Sequence, residues 1–490
     1  MKRRTQEERF GVLALLRIER ERSPAVRIQL YEQVRAHILG GRIAGGTALP
    51  SSREIALKFG LSRSTVTEAI EMLAADGLVV SKRGSGTFAA KRAEVGAQVA
   101  AGSAWAELSS TAHRLRIDSE NSDHQMALER CFMPALPSLD DFPSAVWSQM
   151  TAHVLRSERA ALLSYDTDGG HAGLRESLAA QARLRLGIAC GTEQIVIVNG
   201  IQQAWDILAR LLVDHGDTVW VEEPGEPTVT SAMIASGARV VPIPVDESGM
   251  QVQAAPIELP PRVIHVTPVQ HWPLGAPLSA GRRATLLQVA RTHDAYIIES
   301  SFNTEFRFSD TAPSALATED IQRVIHVSSF SLTVFPALRL GYMIVPPALV
   351  EPVLIAKRVM HRDSGVLQQA VLSRFIAEGY YGEYVRTSLE MYRARRNALM
   401  QALDRAAIDG MSVKFLNHGL HAVATLSGPA NLNSLVRKAA QRDVMIWPAT
   451  KYYRLRRPGI AQALLGFGCV DEAAIEAGVR VVRDCLEAQA

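Results

Sequence analysis

Apolar residues near the start of the chain recur every four positions, the spacing that places them on one face of an α-helix. Val26, Leu30, Val34 and Ile38 form this repeat. The periodic run ends before two adjacent glycines, Gly40 and Gly41. We therefore predict an amphipathic helix before residue 40.

Two shorter helices are predicted next, separated by a tight turn at Gly60. Ser51 and Glu54 have the spacing of a capping box, which marks the start of the first helix. Ser62 is placed to cap the second. Residues 78–90 contain two short apolar runs around a basic, glycine-containing turn, which predicts a hairpin. Helix, turn, helix and basic hairpin in this order are typical of a winged helix-turn-helix.

From about residue 140 the chain alternates between helical patterns and short apolar runs of the kind found in buried parallel strands. These runs lie at residues 195–198, 218–222, 239–242, 263–266, 296–299 and 323–328. After about residue 365, long helical patterns are followed by strand-like segments near residues 413, 421–426 and 444–447. We therefore predict an α/β fold with a mixed, mostly parallel sheet and a small C-terminal α+β subdomain.

The length of 490 residues exceeds what one hydrophobic core usually serves, which predicts more than one domain. Residues 91–125 are rich in Ala, Ser and Gln without sustained periodicity, and we interpret them as a linker. We assign residues 1–90 to the winged helix-turn-helix domain and residues 126–490 to the second domain. The small subdomain of the latter begins near residue 365.

Charge is distributed unevenly along the chain. Residues 1–92 contain 17 Lys or Arg against 9 Asp or Glu, which leaves 36 against 41 for the rest of the sequence. The N-terminal domain is basic, whereas the rest of the chain is mildly acidic. This charge distribution predicts that the N-terminal domain binds a polyanion.

The four cysteines are far apart and show no paired spacing, so we expect buried, reduced thiols and neither a disulfide framework nor a metal site. The apolar run at residues 10–16 is too short for a secretion signal, and no later stretch has the length of a membrane span. We therefore expect a cytoplasmic protein.

The second helix of the predicted winged domain offers hydroxyl and guanidinium groups where a recognition helix meets base edges and phosphates. These candidate DNA-binding residues are Ser62, Arg63, Ser64, Thr65 and Thr67. Arg53, at the start of the preceding helix, is placed for a phosphate. The hairpin would approach the DNA backbone or the minor groove through Lys82, Arg83, Gly84, Ser85 and Thr87.

Three blocks in this order resemble the N-terminal signature of the GntR family. They are LPSSR at 49–53, LSRSTV at 61–66 and GSGTF at 84–88. The resemblance implies a regulator that binds double-stranded DNA. The alternatives are a small helical domain with an ordinary basic face, or a dinucleotide-binding loop around the lone GSG, although no helical pattern opens after that motif.

Several blocks of the second domain resemble fold-type I aminotransferases, and specifically the MocR subgroup of GntR regulators, which fuses a winged helix to such a domain. The blocks lie at residues 165–175, 199–204, 216–227, 267–275, 298–306 and 328–342. The resemblance implies a transcriptional regulator that forms a homodimer, because the active site of this fold is built across two subunits. A dimer also presents two recognition helices to paired half-sites.

In that family a lysine holds pyridoxal phosphate as a Schiff base, and the matching position here is Leu332. Leucine has no amine, so we expect no covalent cofactor and no enzymatic activity. Ser300 stands where a carboxylate would pair with the pyridine nitrogen. Phe302 replaces a tyrosine, and Glu226 replaces the aromatic residue that stacks on the ring. Where the family usually has His-Gln, this chain has Gln270-His271, so the residue that would contact the ring oxygen is changed. We interpret His271 as a pocket-wall residue in preference to a metal ligand.

The phosphate end of the same pocket keeps the family's pattern. Ser329, Ser331 and Arg339 supply hydroxyl and guanidinium groups, and Gly200 and Gln202 open a helix whose N-terminus favours anions. Tyr165 matches a tyrosine that reaches the phosphate across the dimer interface in relatives. We therefore expect a sensor of a small anionic metabolite, with weak non-covalent binding of pyridoxal phosphate left open.

Blander interpretations stay open for each of these residues. Leu332 could be an ordinary core residue that fills the pocket, and Arg339 could form an internal ion pair. Ser329 and Ser331 could serve only to cap the turn. The domain would then be a vestigial dimerisation scaffold. Besides the sensor and the scaffold, a third alternative is an active transaminase. Leu332 argues against it, because that position would need a lysine. The cluster Arg454, Arg456 and Arg457 is interpreted as surface charge, although relatives bind a substrate carboxylate from this region.

Overall fold

The computed structural model describes residues 11–18, 24–82, 86–90, 109, 111, 131–162, 164, 169–301, 305–309, 313–361, 365–427, 431–455, 459 and 461–488. The chain forms two compact units, Met1–Ala106 and Glu107–Ala490. The division between them falls inside the stretch that the sequence assigns to a linker. The 91–125 bounds of that linker stay a prediction, because most of it lies outside the described residues.

The N-terminal unit contains the predicted helix-turn-helix and hairpin. Its elements are α1 Val26–Leu39, α2 Ser52–Phe59, α3 Arg63–Ala75, β1 Val79–Lys82 and β2 Gly86–Ala89. The two strands pair in antiparallel register from Val79 opposite Ala89 to Lys82 opposite Gly86. The winged helix-turn-helix prediction is thereby confirmed.

Local chemistry determines where α2 begins and ends. The Ser51 hydroxyl accepts a hydrogen bond from the Glu54 backbone N–H at 3.2 Å, and the Glu54 carboxylate accepts one from the Ser51 N–H at 2.6 Å. This reciprocal pair is the predicted capping box. Gly60 ends the helix with φ of 65°, a left-handed conformation that glycine adopts without steric cost. Behind these caps, Val66 and Leu73 of α3 are buried in the core of the domain.

The second unit is an α/β domain. Its helices are α4 Ser144–Ser157, α5 Arg159–Leu162, α6 Ala172–Gln181, α7 Ile201–Leu212, α8 Pro227–Ala235, α9 Ala280–Thr292, α10 Val350–Met360, α11 Val366–Ala377, α12 Tyr380–Ala406, α13 Leu432–Ala440 and α14 Glu472–Glu487. Its strands are β3 Ile195–Val198, β4 Thr218–Glu223, β5 Arg239–Asp246, β6 Gly249–Met250, β7 Val263–Val266, β8 Tyr296–Ser301, β9 Val324–Ser329, β10 Gly341–Ile344, β11 Met411–Phe415, β12 His421–Leu426, β13 Trp447–Pro448 and β14 Gln462–Gly466.

Eight of these strands form the large sheet, in the order β3-β10-β9-β8-β7-β4-β5-β6. The pairs from β9 across to β5 are parallel, whereas β10 is antiparallel to both β3 and β9, and β6 is antiparallel to β5. This is the predicted mixed, mostly parallel sheet. The sequence pattern does not predict strands β10 and β6.

Alternate residues of the central strands face two different layers of hydrophobic core. Ile298 of β8 and Val327 of β9 pack with α7 in one cluster, whereas Ile297 belongs to the other. Side chains two residues apart on a strand share a face. Ser300 and Ser329, two residues beyond Ile298 and Val327, therefore lie on the α7 face at the carboxyl edge of the sheet.

The small subdomain is built on a four-stranded antiparallel sheet in the order β11-β12-β14-β13. The predicted strand at 444–447 is wrong in its extent, because Val444 instead forms an isolated bridge with Cys131 and the strand begins at Trp447. Phe132 likewise bridges Gly466 of β14. The start of the second domain is therefore tied to the subdomain sheet.

All four cysteines are buried, as predicted, and none of them is joined to another by a disulfide bond. Among the helices of the described residues, none has the length and apolarity needed to cross a membrane.

Candidate functional site

The N-terminal end of α3 presents a cluster of hydroxyl groups beside an exposed arginine. The Ser62 hydroxyl accepts a hydrogen bond from the Thr65 N–H at 3.1 Å and lies 2.8 Å from the hydroxyls of Ser64 and Thr65. The Thr67 hydroxyl donates to the Arg63 carbonyl at 2.8 Å. These hydroxyls thus hold the first turn together. Arg63 is exposed and makes no ion pair within the described part of the chain.

The neighbouring elements add further basic groups to this unit. Arg53 is exposed at the start of α2, and Lys82 is exposed at the end of β1, with its ammonium 5.6 Å from the centroid of the Phe88 ring. Thr87 is half-buried, and its hydroxyl lies 3.2 Å from that of Ser81. The other predicted residues of the hairpin lie outside the described residues: Arg83, Gly84 and Ser85.

In the second unit, the loop before β10 meets the start of α7. Gly200 precedes the helix with φ of 72° and provides no side-chain cap. The first N–H groups of α7 have no intrahelical partner, as in any helix, and the residue before the helix does not cap them. A Cβ at Gly200 would lie 3.5 Å from the Arg339 guanidinium. Arg339 itself is exposed, has φ of 52° and forms no ion pair with any described carboxylate. The internal ion pair considered for Arg339 is thus not found among the described residues. Gln202 is exposed in the first turn of the helix.

The two serines after β9 form a local turn. The Ser331 N–H donates to the Ser329 hydroxyl at 3.1 Å, and the Ser329 hydroxyl donates to that of Ser331 at 2.9 Å. The turn-capping role is therefore real. It leaves the hydrogen of the Ser331 hydroxyl available, and Ser331 is only half-buried.

Ser300 is paired with a histidine that the sequence reading did not identify. Its hydroxyl lies 2.7 Å from Nε2 of His265 on the adjacent strand β7. Burial, and secondarily the proximity of His271, lowers the pKa of His265 to about 3, so its imidazole is neutral at physiological pH. The ring of Trp205, on α7, packs edge-on against His265 with centroids 5.4 Å apart.

Leu332, Glu226 and His271 are all engaged by their surroundings. Leu332 is 7% exposed and packs in the main hydrophobic cluster. Glu226 caps α8, because its carboxylate accepts hydrogen bonds from the N–H and the hydroxyl of Thr228 at 3.2 and 2.8 Å. His271 Nε2 lies 2.8 Å from the Pro224 carbonyl oxygen, and its Nδ1 accepts from the Leu274 N–H at 3.3 Å. Both ring nitrogens of His271 are thus engaged by backbone groups.

A loop of the small subdomain is bound to the end of β4. The Glu223 carboxylate accepts hydrogen bonds from the backbone N–H groups of Arg454 and Leu455 at 3.1 and 2.8 Å. The Gly225 N–H donates to the Tyr452 carbonyl at 3.0 Å. These bonds attach residues 452–455 of the small subdomain to the segment that precedes Glu226.

Glu222, also missed by the sequence reading, is a buried carboxyl group behind the same edge. One of its oxygens accepts hydrogen bonds from the N–H and the hydroxyl of Thr267 at 3.0 and 2.6 Å. Desolvation outweighs these bonds and raises the pKa of Glu222 to about 8. The carboxyl group is therefore mostly protonated at neutral pH.

Four residues predicted to line or border the pocket lie outside the described residues. They are Tyr165, Phe302, Arg456 and Arg457.

Two protein families match the two units of the chain. "Bacterial regulatory proteins, gntR family" matches residues 27–89, and "Aminotransferase class I and II" matches residues 138–459. A relative from Rhizobium meliloti, "Probable rhizopine catabolism regulatory protein MocR", is 32% identical over 478 residues, 96% of either chain. The chain belongs to the MocR-type regulators of the gntR family. It is a DNA-binding transcriptional regulator with an aminotransferase-like domain.

Other similar proteins agree with this assignment. The "HTH-type pyridoxine biosynthesis transcriptional regulator PdxR" of Corynebacterium glutamicum is 26% identical over 446 residues, which cover 91% of this MocR-type chain and 92% of the relative. Among solved structures, LysN, the alpha-aminoadipate aminotransferase of Thermus thermophilus, matches with a TM-score of 0.69 at 23% identity. That match covers 78% of this chain and 97% of LysN, and it supports the fold alone.

The raised pKa of Glu222 predicts a pH-dependent contribution to stability. Between its ordinary value of 4.5 and about 8, the folded chain keeps a proton that the unfolded chain releases. This carboxyl group therefore favours the folded state fully below pH 4.5, and the contribution is lost as pH rises to about 8. We expect Glu222→Gln, which does not titrate, to remove a decline of the order of a few kcal/mol across this range.

The measurement is urea unfolding of wild type and Glu222→Gln at several pH values, followed by tryptophan fluorescence. Buried histidines such as His271, whose pKa burial lowers to about 4, have the opposite pH dependence, but they are common to both proteins. Only the difference between the two curves therefore counts. Parallel curves from pH 5 to 8 would contradict the assignment.

Proposed function

We propose that the aminotransferase-like domain of this regulator binds a small anionic metabolite without a covalent bond and does not form a Schiff base with pyridoxal phosphate. The observation that carries the proposal is the position of Arg339. Its guanidinium lies against Gly200, at a helix start that has no side-chain cap, and it forms no described ion pair. We call Gly200, Ser329, Ser331 and Arg339 the anion cup.

The chemistry of the cup suits phosphate or carboxylate. Free N–H groups at a helix start carry partial positive charge, and an arginine adds a full charge with a planar set of donors. The free hydrogen of the Ser331 hydroxyl supplies one more donor. A phosphate monoester or a carboxylate would satisfy these donors together.

The residues around the ring position do not fit a Schiff base. Leu332 has no amine and is packed in the hydrophobic cluster. Ser300 is bonded to neutral His265, and neither group can hold a proton on a pyridine nitrogen as a carboxylate does. The Glu226 carboxylate caps its own helix. These three observations support a domain that is a regulator and not a transaminase.

The turn bonds between Ser329 and Ser331 favour a second candidate function, in which the domain is only a dimerisation scaffold. They explain the two serines without a ligand. They do not explain Arg339, whose charge has no described carboxylate partner. We therefore prefer sensing to the scaffold.

We further propose that the protein acts as a homodimer and reads double-stranded DNA through α3 and the hairpin. Two copies would present two recognition helices to paired half-sites. The hydroxyls from Ser62 to Thr67 order the first turn of α3, and the arginines supply phosphate contacts. Any effect of the metabolite would be a coupling free energy between the cup and the DNA-binding unit.

The DNA proposal predicts a specific loss in Arg63→Ala. Removing an exposed guanidinium that contacts DNA should cost about 1–3 kcal/mol if it reads a base, or lower the salt slope of binding by about 1 if it contacts a phosphate. The measurement is fluorescence anisotropy on a duplex selected from a random library by the wild-type protein, at several salt concentrations. Arg35→Ala, an exposed arginine on α1, is the matched control. Equal behaviour of the two variants would refute the proposed interface.

The sensing proposal predicts that ligand responses depend on Arg339. We expect a thermal-shift screen of phosphorylated and carboxylated metabolites to find stabilising compounds, since a ligand that binds the folded state raises its stability. Arg339→Ala should weaken the best of them about tenfold or more, because hydrogen bonds to charged groups are worth about 1.5–3 kcal/mol. Arg437→Ala, an exposed arginine on α13, should change nothing. An unaltered response in Arg339→Ala would make the cup vestigial.

A further inference from the structure

Thr67 lies on the exposed side of α3, and its hydroxyl hydrogen is already used. The hydroxyl donates to the Arg63 carbonyl at 2.8 Å, one helical turn earlier. A threonine hydroxyl has one hydrogen, so Thr67 cannot donate to a base while this bond is kept. The bond also turns the oxygen toward the helix backbone. The methyl group is therefore the part of this side chain that is left to contact a ligand.

The position of Thr67 places this methyl group on the face of α3 that points away from the domain core. Val66, Ala69 and Leu73 of the same helix are buried. Arg63 and Thr67 are four residues apart, so they share a face, and both are exposed. The Arg63 guanidinium and the Thr67 methyl group are thus neighbours on the outer surface of the recognition helix.

Beyond Thr67 the exposed face of α3 becomes acidic. Glu68 and Glu71 are both exposed, and the Glu68 carboxylate lies 3.4 Å from Arg27 on α1, which offsets part of its charge. Carboxylates are repelled by DNA phosphates, so favourable contacts are confined to the start of the helix. That is also the end of a recognition helix that meets base edges. Thr67 is the last residue of this segment before the carboxylates begin.

Thymine is the base that offers a matching group in the major groove. Its C5-methyl is an apolar group, whereas the other bases present only donors and acceptors there. Bringing two methyl groups together removes apolar surface from water, which is favourable without any hydrogen bond. Four residues of helix rise about 6 Å, and successive base pairs are about 3.4 Å apart. A base contacted by Thr67 therefore lies within about two base pairs of the base contacted by Arg63.

We infer that Thr67 is a specificity-determining residue, which selects a thymine in each half-site by contact between its methyl group and the C5-methyl of the base. This inference rests on the proposed reading of DNA by α3. It adds to that proposal the base that the helix selects at one position and the group of atoms that makes the selection.

Replacement of thymine by uracil tests the contact, because it removes the C5-methyl and leaves base pairing intact. The duplex is one that the wild-type protein selects from a random library, with its thymines replaced at one position at a time. We expect one position in each half-site at which uracil lowers the affinity of the full-length protein about three- to fivefold, the effect of burying one methyl group. Fluorescence anisotropy at one fixed salt concentration measures the ratio of the two affinities.

Two substitutions at this residue separate the methyl group from the hydroxyl. Thr67→Ser keeps the hydroxyl and lacks the methyl group, so it should bind the thymine and uracil duplexes equally. Thr67→Val keeps a methyl group and lacks the hydroxyl, so it should still prefer thymine. Each ratio compares two duplexes with the same variant, so a partial loss of folded protein cancels.

The absence of any uracil-sensitive position in wild type, or an unchanged sensitivity in Thr67→Ser, would overturn the inference. Loss of the preference in Thr67→Val but not in Thr67→Ser would also overturn it, because the hydroxyl would then make the contact. Arg63→Ala distinguishes these results from failure of the interface itself. If Arg63→Ala binds less tightly than wild type while no thymine methyl matters, α3 still reads DNA and only the contact of Thr67 is wrong.

Discussion

The parallel pairing of β8 with β9 determines which side chains meet at the carboxyl edge of the large sheet. Ser300 lies opposite Val327 and Ser301 opposite Ser328, so Ser300 and Ser329 project toward α7 together. A shift of one residue in either strand would send its serine to the opposite face. The antiparallel strand β10 then runs back beside β9, and the loop between them brings Arg339 to Gly200 at the start of α7. The anion cup is thus a consequence of strand register.

The buried titratable groups beside this edge of the sheet have one property in common, which is that they are uncharged. His265 and His271 are kept uncharged by burial, and Glu222 is kept mostly protonated by the same cause. Charging any of these groups without a partner would cost several kcal/mol. Arg339, by contrast, is exposed to solvent. This edge of the sheet therefore has an exposed arginine at one end and buried, uncharged groups at the other.

The sequence predicted those parts of the fold that local chemistry controls. The capping box of Ser51 and Glu54 and the turn at Gly60 depend on neighbours a few residues away, so they could be read directly. The five parallel strands each contain a short apolar run, and all five are predicted, although β5 extends four residues beyond its predicted end at 242. The sequence does not predict strand β10, because its first two residues belong to the block at 328–342, which is interpreted for its resemblance and not for its periodicity.

The contacts at the candidate site depend on pairing between distant segments. Ser300 and His265 are 35 residues apart and meet only through the pairing of β7 with β8. Glu223 binds the backbone of Arg454, 231 residues away, so nothing near it in the sequence marks its role. The resemblance to aminotransferases indicates the position of Ser300 but not its partner His265.

We propose that this edge of the sheet binds an anion and holds no pyridoxal phosphate through a covalent bond. Borohydride reduction of the protein mixed with one equivalent of pyridoxal phosphate, followed by peptide mass spectrometry, tests this proposal. We expect no lysine to carry the reduced cofactor in stoichiometric amount, because Leu332 provides no amine. A single lysine modified at close to one equivalent per chain would contradict the account.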